Sequence, residues 1–286
     1  MNPQRERGGG ANLDADTVRG FGAEWSAYDQ VDLPQAELEA LFAGYFRLFP
    51  WNELAPGAVG ADIGCGSGRW AALAAPRVGR LICIDASAQA LAVARRRLGG
   101  LNNCELHCAS VDAMPIPDGT LDFAYSLGVL HHVPDTAAAL RACAAKLRPG
   151  APMLVYLYYA FDNRPAWFRR LWQASDLLRR GISRLPFGLR LNLTRVIAAL
   201  VYFPLARAAR VGERAGLDVG AWPLSAYREA SFYTMRTDAL DRFGTRLEQR
   251  FSRAQIRDLL RQAGLESIAF NPDPPYWCAL GRRRAD

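Results

Sequence analysis

Between residues 59 and 158, short apolar runs alternate with longer stretches in which apolar positions return every three or four residues. The runs 59–63, 81–84, 104–109, 121–126 and 153–158 read as strands. The stretches 70–75, 87–98 and 136–147 read as helices. Such alternation demands a parallel sheet covered by helices on both faces. Ahead of it, an aromatic-rich stretch begins at Phe21 and runs into a helical pattern at Leu38, Leu41, Phe42, Tyr45 and Phe46. From 162 to about 246 no strand pattern occurs; helices at 167–180, 191–210 and 227–243 fit instead, punctuated by Pro and Gly. The α/β pattern then resumes. Ser252 is an N-cap before 255–263, Gly264 a helix stop, and 265–270 and 276–280 are two strands. Their connection, Asn271-Pro272-Asp273-Pro274-Pro275, is short enough for an antiparallel pair.

The organisation this predicts is a polar, Gly-rich and mobile tail over 1–20 and a helical lid segment over 21–52. An α/β core over 53–160 and 247–286 follows, interrupted by a helical insertion over 161–246 that caps the substrate side. At 286 residues, half hydrophobic and 22% charged, the chain has enough apolar surface for one large domain with an inserted subdomain. No apolar run approaches the roughly 20 residues of a spanning helix, and 196–203 is far too short. The first ten residues lack the charged-then-apolar pattern of a signal peptide, so a cytoplasmic protein is expected.

The net charge of +7 is localised. Between Phe161 and Arg214 stand 11 arginines against Asp162, Asp176 and Glu213, a balance of +8, so the rest of the chain sums to −1. Lys146 is the only lysine. One basic segment does not make a nucleic-acid-coating protein, and no nucleic-acid partner is expected. The same segment mixes Arg with large apolar residues, as interfacial helices do, so 164–210 is a candidate for peripheral contact with the inner face of a membrane. The other reading is a helical cap with its arginines solvated. The six cysteines show no CxxC spacing, which points to reduced buried thiols and no metal.

The candidate chemistry sits where strands end. Between the first strand and its helix stands Ala61-Asp62-Ile63-Gly64-Cys65-Gly66-Ser67-Gly68-Arg69-Trp70. A Gly-rich turn there lets a ligand approach the backbone and aims helix amides at it. Arg69 replaces the third glycine of the dinucleotide fingerprint, and Asp62 would repel a pyrophosphate but suits an ammonium. Asp85, at the tip of the second strand, can accept hydrogen bonds from two ribose hydroxyls. Asp112 follows the third strand, where an adenine amino group could donate to it.

With Leu130-His131-His132-Val133-Pro134-Asp135 after the fourth strand and Leu147-Arg148-Pro149-Gly150 before the fifth, these motifs resemble the class I S-adenosylmethionine-dependent methyltransferases, in their small-molecule branch. The resemblance covers about 55–160 and 250–282. It implies an α/β, doubly wound, Rossmann-like seven-stranded sheet whose last strand is antiparallel. S-adenosylmethionine would be the cofactor and S-adenosylhomocysteine the product. Gly64, Cys65, Gly66 and Gly68 would form the cofactor loop, with Asp62 near the methionine moiety. Asp85 with Ala86 would hold the ribose, Asp112 with Ala113 the adenine, and the backbone at Ser126 and Leu127 the methionine part.

Methyl transfer is an in-line displacement that needs alignment, and a hydroxyl acceptor also needs its proton removed. His131 is the first candidate base, with a structural role equally open; Tyr158 and Tyr233 are candidates for positioning the acceptor. Trp25, Tyr28, His132 and Arg236 are candidate acceptor contacts, although Trp25 and Tyr28 also read as ordinary helix packing. The acceptor expected is a small molecule or a lipid- or glycan-linked group. A non-methylating enzyme, or a module that binds cofactor or lipid on the same fold, is the alternative.

Overall fold

The computed structural model describes residues 12–285. Five parallel strands, β1 (Val59–Ile63), β2 (Arg80–Asp85), β3 (Cys104–Cys108), β4 (Phe123–Leu127) and β5 (Pro152–Tyr156), are followed by β6 (Leu265–Phe270) and β7 (Cys278–Arg283). The sheet order is β3-β2-β1-β4-β5-β7-β6, with β7 antiparallel to both its neighbours. The chain lays strands to one side of β1 and then crosses to the other. This leaves a crevice above the carboxyl ends of β1 and β4, where α/β sheets bind ligands.

The two faces of the sheet explain the near-continuous apolar character of its strands. On one face Ile63, Ile84 and Met153 pack with Leu140 of α5 (Thr136–Ala145) and Ile256 and Leu260 of α10 (Arg253–Gln262). On the other, Leu81, Phe123 and Tyr125 meet Leu91 and Leu98 of α4 (Ala88–Leu98) and an aromatic stack. Each such side chain contributes about 1.5–3 kcal/mol on burial. The stack is Phe46 against Phe42, 4.2 Å between centroids, continued by Phe49, Trp51 and Phe123. It fixes α2 (Gln35–Tyr45) to the sheet.

Helix starts follow side-chain chemistry. Ser87, Asp135 and Ser231 cap α4, α5 and α9 (Phe232–Gly244), and Ser252 forms a reciprocal box with Gln255 at α10. Gly264, at φ +82°, turns the chain out of α10. A further helix, α1 (Ala15–Ala27), occupies the end of the stretch expected to be a mobile tail; Asp14 caps it through the Thr17 N–H at 2.7 Å. Residues 1–11 of that expected tail lie outside the described residues. The short helix after the glycine loop is α3 (Ala71–Ala74).

Between β5 and β6 come α6 (Ala166–Ile182), α7 (Phe187–Ile197), α8 (Phe203–Arg214) and α9. A π-helical turn, Ala198–Tyr202, joins α7 to α8, making one continuous 28-residue helix, Phe187–Arg214. Pro204 has no N–H and its ring crowds the carbonyl one turn back; the wider turn absorbs both faults, so the helix does not break. This corrects the expectation drawn from 196–203 alone. Among the described residues, this helix is long and apolar enough to cross a membrane by length and composition. Its inner face, however, packs Ala198, Tyr202 and Ala206 on Met235, Ala239 and Phe243 of α9.

Candidate active site

The turn after β1 is built to leave backbone bare. Gly64, Gly66 and Gly68 have φ of +81°, +54° and +73°, the left-handed region that side chains disfavour. A Cβ on Gly64 would stand 2.4 Å from the Val129 methyls. The N–H groups of Gly64 and Cys65 both donate to the Ile84 carbonyl, at 2.7 and 2.9 Å, which locks the turn to β2. Asp85, at the tip of β2, accepts from the Gly66 N–H at 2.9 Å and from the Ser87 N–H at 2.8 Å. Burial raises its pKa while these two bonds oppose the rise. Cys65, Gly66, Ser67, Asp85 and Ala86 all face one cavity of about 830 Å³.

The cavity continues past Leu127 and Gly128 at the end of β4 to Ser110 and Val111 after β3. Asp112 and Ala113 do not line it. Instead, the Asn12 N–H donates to Asp112 at 3.0 Å, while the Asn12 side chain exchanges hydrogen bonds with the Asp135 backbone at 2.7 and 2.9 Å. The Ser110 hydroxyl first, and the Asn12 N–H after it, hold Asp112 below the usual carboxylate range. Asn12 thus clasps the loops after β3 and β4 together, and Ser110 and Val111 bound that end of the cavity.

Asp62 and Ser126 are also displaced from their expected roles. The Asp62 side chain is buried beneath the glycine turn and takes a hydrogen bond from the Tyr125 hydroxyl at 3.1 Å. Burial pushes its pKa up to about 8, so it is mostly protonated at neutral pH. Ser126 is fully buried, and its hydroxyl donates to the Ile63 carbonyl at 2.8 Å, tying β4 to β1. Gly68, also off the cavity wall, faces Leu98 and Ala94 of α4.

The remaining candidates separate into two groups. Trp25, Tyr158 and His132 line the cavity; Trp25 stands against Gly66, where an added Cβ would meet its Nε1 at 2.9 Å. Tyr28, Tyr233 and Arg236 do not line it. Tyr28 accepts from Arg195 Nε at 3.1 Å, Tyr233 accepts from the Gln30 N–H at 2.8 Å, and the Arg236 guanidinium lies over both rings. These three fasten α1 to α7 and α9. His131 is fully buried, off the cavity wall and stacked on Tyr158 with 3.9 Å between centroids. Burial, then the neighbouring His132 and Arg250, holds its pKa well below the usual value, so it is a poor proton acceptor. The two adjacent histidines sit on a tight 3-10 turn, and only the second faces the ligand space.

His132 is neutral as well. Its Nδ1 donates to the Leu247 carbonyl at 2.6 Å, and burial lowers its pKa to about 4. Its Nε2, 3.9 Å from Asp241, is too far for a hydrogen bond and uncharged, so the contact is not an ion pair.

Of the groups that carry the cavity's charge, the sequence marked Arg69 in the glycine turn and the segment 231–238, whose mixed composition suits a pocket wall or a plain amphipathic helix, but not Glu24, Asp241, Arg242 or Arg250. Glu24 on α1, Asp238 and Asp241 on α9, and Arg69, Arg242 and Arg250 line it together. Burial, then the charge of Asp241, pushes Glu24 well above the ordinary range. Burial, then the charge of Glu248, pushes Asp241 up to about 7. The Tyr158 hydroxyl donates to Asp241, and the Arg250 guanidinium lies 5.0 Å over the Tyr158 ring. A trace of this was present in the sequence: Asp238 and Asp241 are three residues apart, on a helical face they share with Thr234, Thr237 and Thr245. Nothing local could have said that α9 turns that face to β5.

The fold and the bare-backbone turn at its switch point define a nucleotide-cofactor-binding α/β protein. The model of the "Methyltransferase domain" family matches residues 61–155. A ubiquinone biosynthesis O-methyltransferase of Methylocella silvestris is 30% identical over 52% of this chain and 66% of its own length. An uncharacterized protein of a Streptomyces fradiae transposon is 37% identical over 35% of this chain and 30% of its own. The chain therefore spans less than two thirds of these relatives. A S-adenosylmethionine-dependent methyltransferase of Thermotoga maritima, solved by crystallography, has the same fold at 15% identity. Its TM-score is 0.50 over 94% of this chain and all of that one. Residues 61–155 thus match a methyltransferase domain, and the sheet around them has the fold of the class I S-adenosylmethionine-dependent methyltransferases, whose cofactor is S-adenosylmethionine.

The residues present fit that cofactor. Ser67 Oγ lines the cavity, is buried, and has no hydrogen-bond partner among the described residues. It stands beside the bare backbone of Cys65 and Gly66, where a polar ligand would complete it. Asp85 presents its carboxylate to the same wall, where it would accept from the ribose hydroxyls, and Leu127 and Gly128 would border the methionine moiety. Among the described residues no group of His, Cys, Asp and Glu could hold a metal ion.

Proposed function

We propose that this protein transfers the methyl group of S-adenosylmethionine to an oxygen of a small, largely apolar acceptor. The observation that carries the reading is the Asp241–Tyr158 pair in the wall of the cavity that begins at the glycine turn. The cofactor supplies an electrophilic methyl on a sulfonium. Cys65, Gly66, Asp85 and Leu127 hold that end of the cavity, and Trp25 roofs it. Beyond them, Tyr45, Tyr156, Tyr159, Phe161 and Trp172 shape an aromatic chamber that excludes water from a flat or long-chain acceptor. A volume of about 830 Å³ lies in the upper part of the roughly 300–1,000 Å³ of small-molecule sites, room for two ligands.

Asp241 takes the acceptor's hydroxyl proton. A carboxyl with a pKa of about 7 is matched to that task near neutrality, which the neutral, buried His131 is not. Tyr158 orients Asp241, and Arg250 over the Tyr158 ring steadies the developing negative charge. The ubiquinone-biosynthesis relatives are named for transfer to oxygen, which supports the same acceptor atom.

The test is S-adenosylhomocysteine release across a panel of phenols and long-chain alcohols, with amines as controls. Hydroxyl acceptors should turn over, and Asp241→Asn should lower that turnover by about 100-fold with cofactor affinity kept. Release with amines alone would move the reading to nitrogen, where Glu24, Asp238 and Asp241 would hold an ammonium. Cofactor binding with no release for any acceptor would end it.

A further inference from the structure

The helical insertion wears its apolar residues on the outside. Along Phe187–Arg214, Leu189, Leu193, Val196, Leu200 and Phe203 fall at alternating spacings of four and three, one continuous stripe. The stripe is exposed, Leu189 at 60% and Leu200 at 71%. The opposite face of the helix is the one packed on α9. Trp167, Leu171 and Leu178 make a second exposed stripe on α6.

These stripes run into the cavity. Leu171, Val201, Leu205 and Trp222 are both exposed and part of its lining, so they mark a mouth, and all four are apolar. The surrounding charge is predominantly basic: Glu213 and Glu229 are paired with Arg228 and Arg210, while several arginines are not paired with an acid among the described residues. Arg170, Arg184 and Arg214 are exposed and have no side-chain hydrogen bond or ion pair among the described residues. Arg214 follows Leu200 by 14 residues and so shares its helical face.

From this juxtaposition we infer that the outer face of α6 and of helix Phe187–Arg214 docks on an anionic lipid surface, so that the cavity mouth opens into the acyl region. The helix lies in the plane of the surface. Its inner face is already committed to α9, so it cannot leave the domain to span a bilayer. A second copy of the chain is the poorer occupant, because a two-fold contact through this face would bring like arginine clusters together. Docking stands independently of the methyl-transfer reading; entry of the acceptor from the lipid side rests on it.

The measurement is flotation of the full chain with vesicles of equal parts phosphatidylcholine and phosphatidylglycerol, and with phosphatidylcholine alone. A Leu193→Glu/Leu200→Glu variant and an Arg170→Glu/Arg214→Glu variant run alongside. None of these four side chains lines the cavity, and thermal stabilisation by S-adenosylhomocysteine checks that each variant is folded. The intact chain should float with the anionic vesicles, and either variant should lose at least about tenfold in partitioning. Neutral vesicles should bind far less, as should anionic ones at high salt. The inference falls if the intact, folded chain stays with the soluble fraction, or if the leucine variant floats as well as the parent. It also falls if the intact chain is a dimer that the leucine substitutions dissociate, since a second copy then covers the face. Because flotation needs no acceptor, its failure is distinguishable from failure of the transfer assay.

Discussion

Asp85 does two jobs with one carboxylate: it pins the glycine turn through the Gly66 N–H and presents its remaining lone pairs to the cavity. Asp85→Ala removes both. Hydrogen bonds to a charged group contribute about 1.5–3 kcal/mol each, so S-adenosylmethionine affinity should fall at least about 100-fold by calorimetric titration. Asp62 behaves differently. The folded protein keeps a proton on it up to pH about 8, whereas a free carboxyl loses it near 3.8. Across that window the folded state holds the extra proton, so stability falls as pH rises. Asp62→Asn keeps an acceptor for Tyr125 without the buried charge. It should therefore stabilise the protein relative to the parent more at pH 8 than at pH 5, by on the order of 2 kcal/mol in urea denaturation. For Asp241 the working form is the ionised one. Turnover should thus rise with pH through about 7 and level off, and the rise should vanish in Asp241→Asn.

At the scale of elements, what the sequence disclosed was whatever a single strand and its loop contain. The turn Gly64–Gly68 and the acid at Asp85 were legible because strand, turn and helix follow one another within a few residues. Asp241 was not, because its role depends on α9 lying across the end of β5, a contact more than 80 residues away in sequence. The adjacent His131 and His132 were legible as a pair but not in direction, which the turn that carries them decides. The run 196–203 misled because it was weighed alone: the helix that holds it continues through Pro204, which the π-turn tolerates where an α-turn would not. Two substitutions test the elements themselves. Gly64→Ala places a Cβ 2.4 Å from Val129 at φ +81°, and should cost about 1–3 kcal/mol together with cofactor binding. Ser252→Ala opens the box at α10 with a side chain that does not line the cavity. It should cost about 1 kcal/mol in denaturant melts and leave cofactor affinity unchanged.

For the whole molecule, the cavity joins parts of the chain that have separate cores. Its floor belongs to the sheet and its roof to α1, α6 and α9; α6 and α9 pack with helix Phe187–Arg214 in a small cluster of their own around Tyr202 and Phe243. A ligand that touches both floor and roof should stabilise them together. At about 100 times its dissociation constant, S-adenosylhomocysteine should add about 2.7 kcal/mol to unfolding, seen as one shifted thermal transition. Two separate transitions, with only one shifted, would mean that roof and floor unfold independently.

The clasp made by Asn12 has a kinetic consequence. Its side chain bridges to the Asp135 backbone and its N–H to Asp112, so three hydrogen bonds cross the end of the cavity beside Ser110 and Val111. Such a latch opens at modest cost and sets the dwell time of whatever lies beneath it more than its affinity. Release of the spent nucleoside would then time turnover wherever this latch opens more slowly than methyl transfer. Asn12→Ala should shorten the residence time of S-adenosylhomocysteine in a stopped-flow chase while leaving the chemical step untouched.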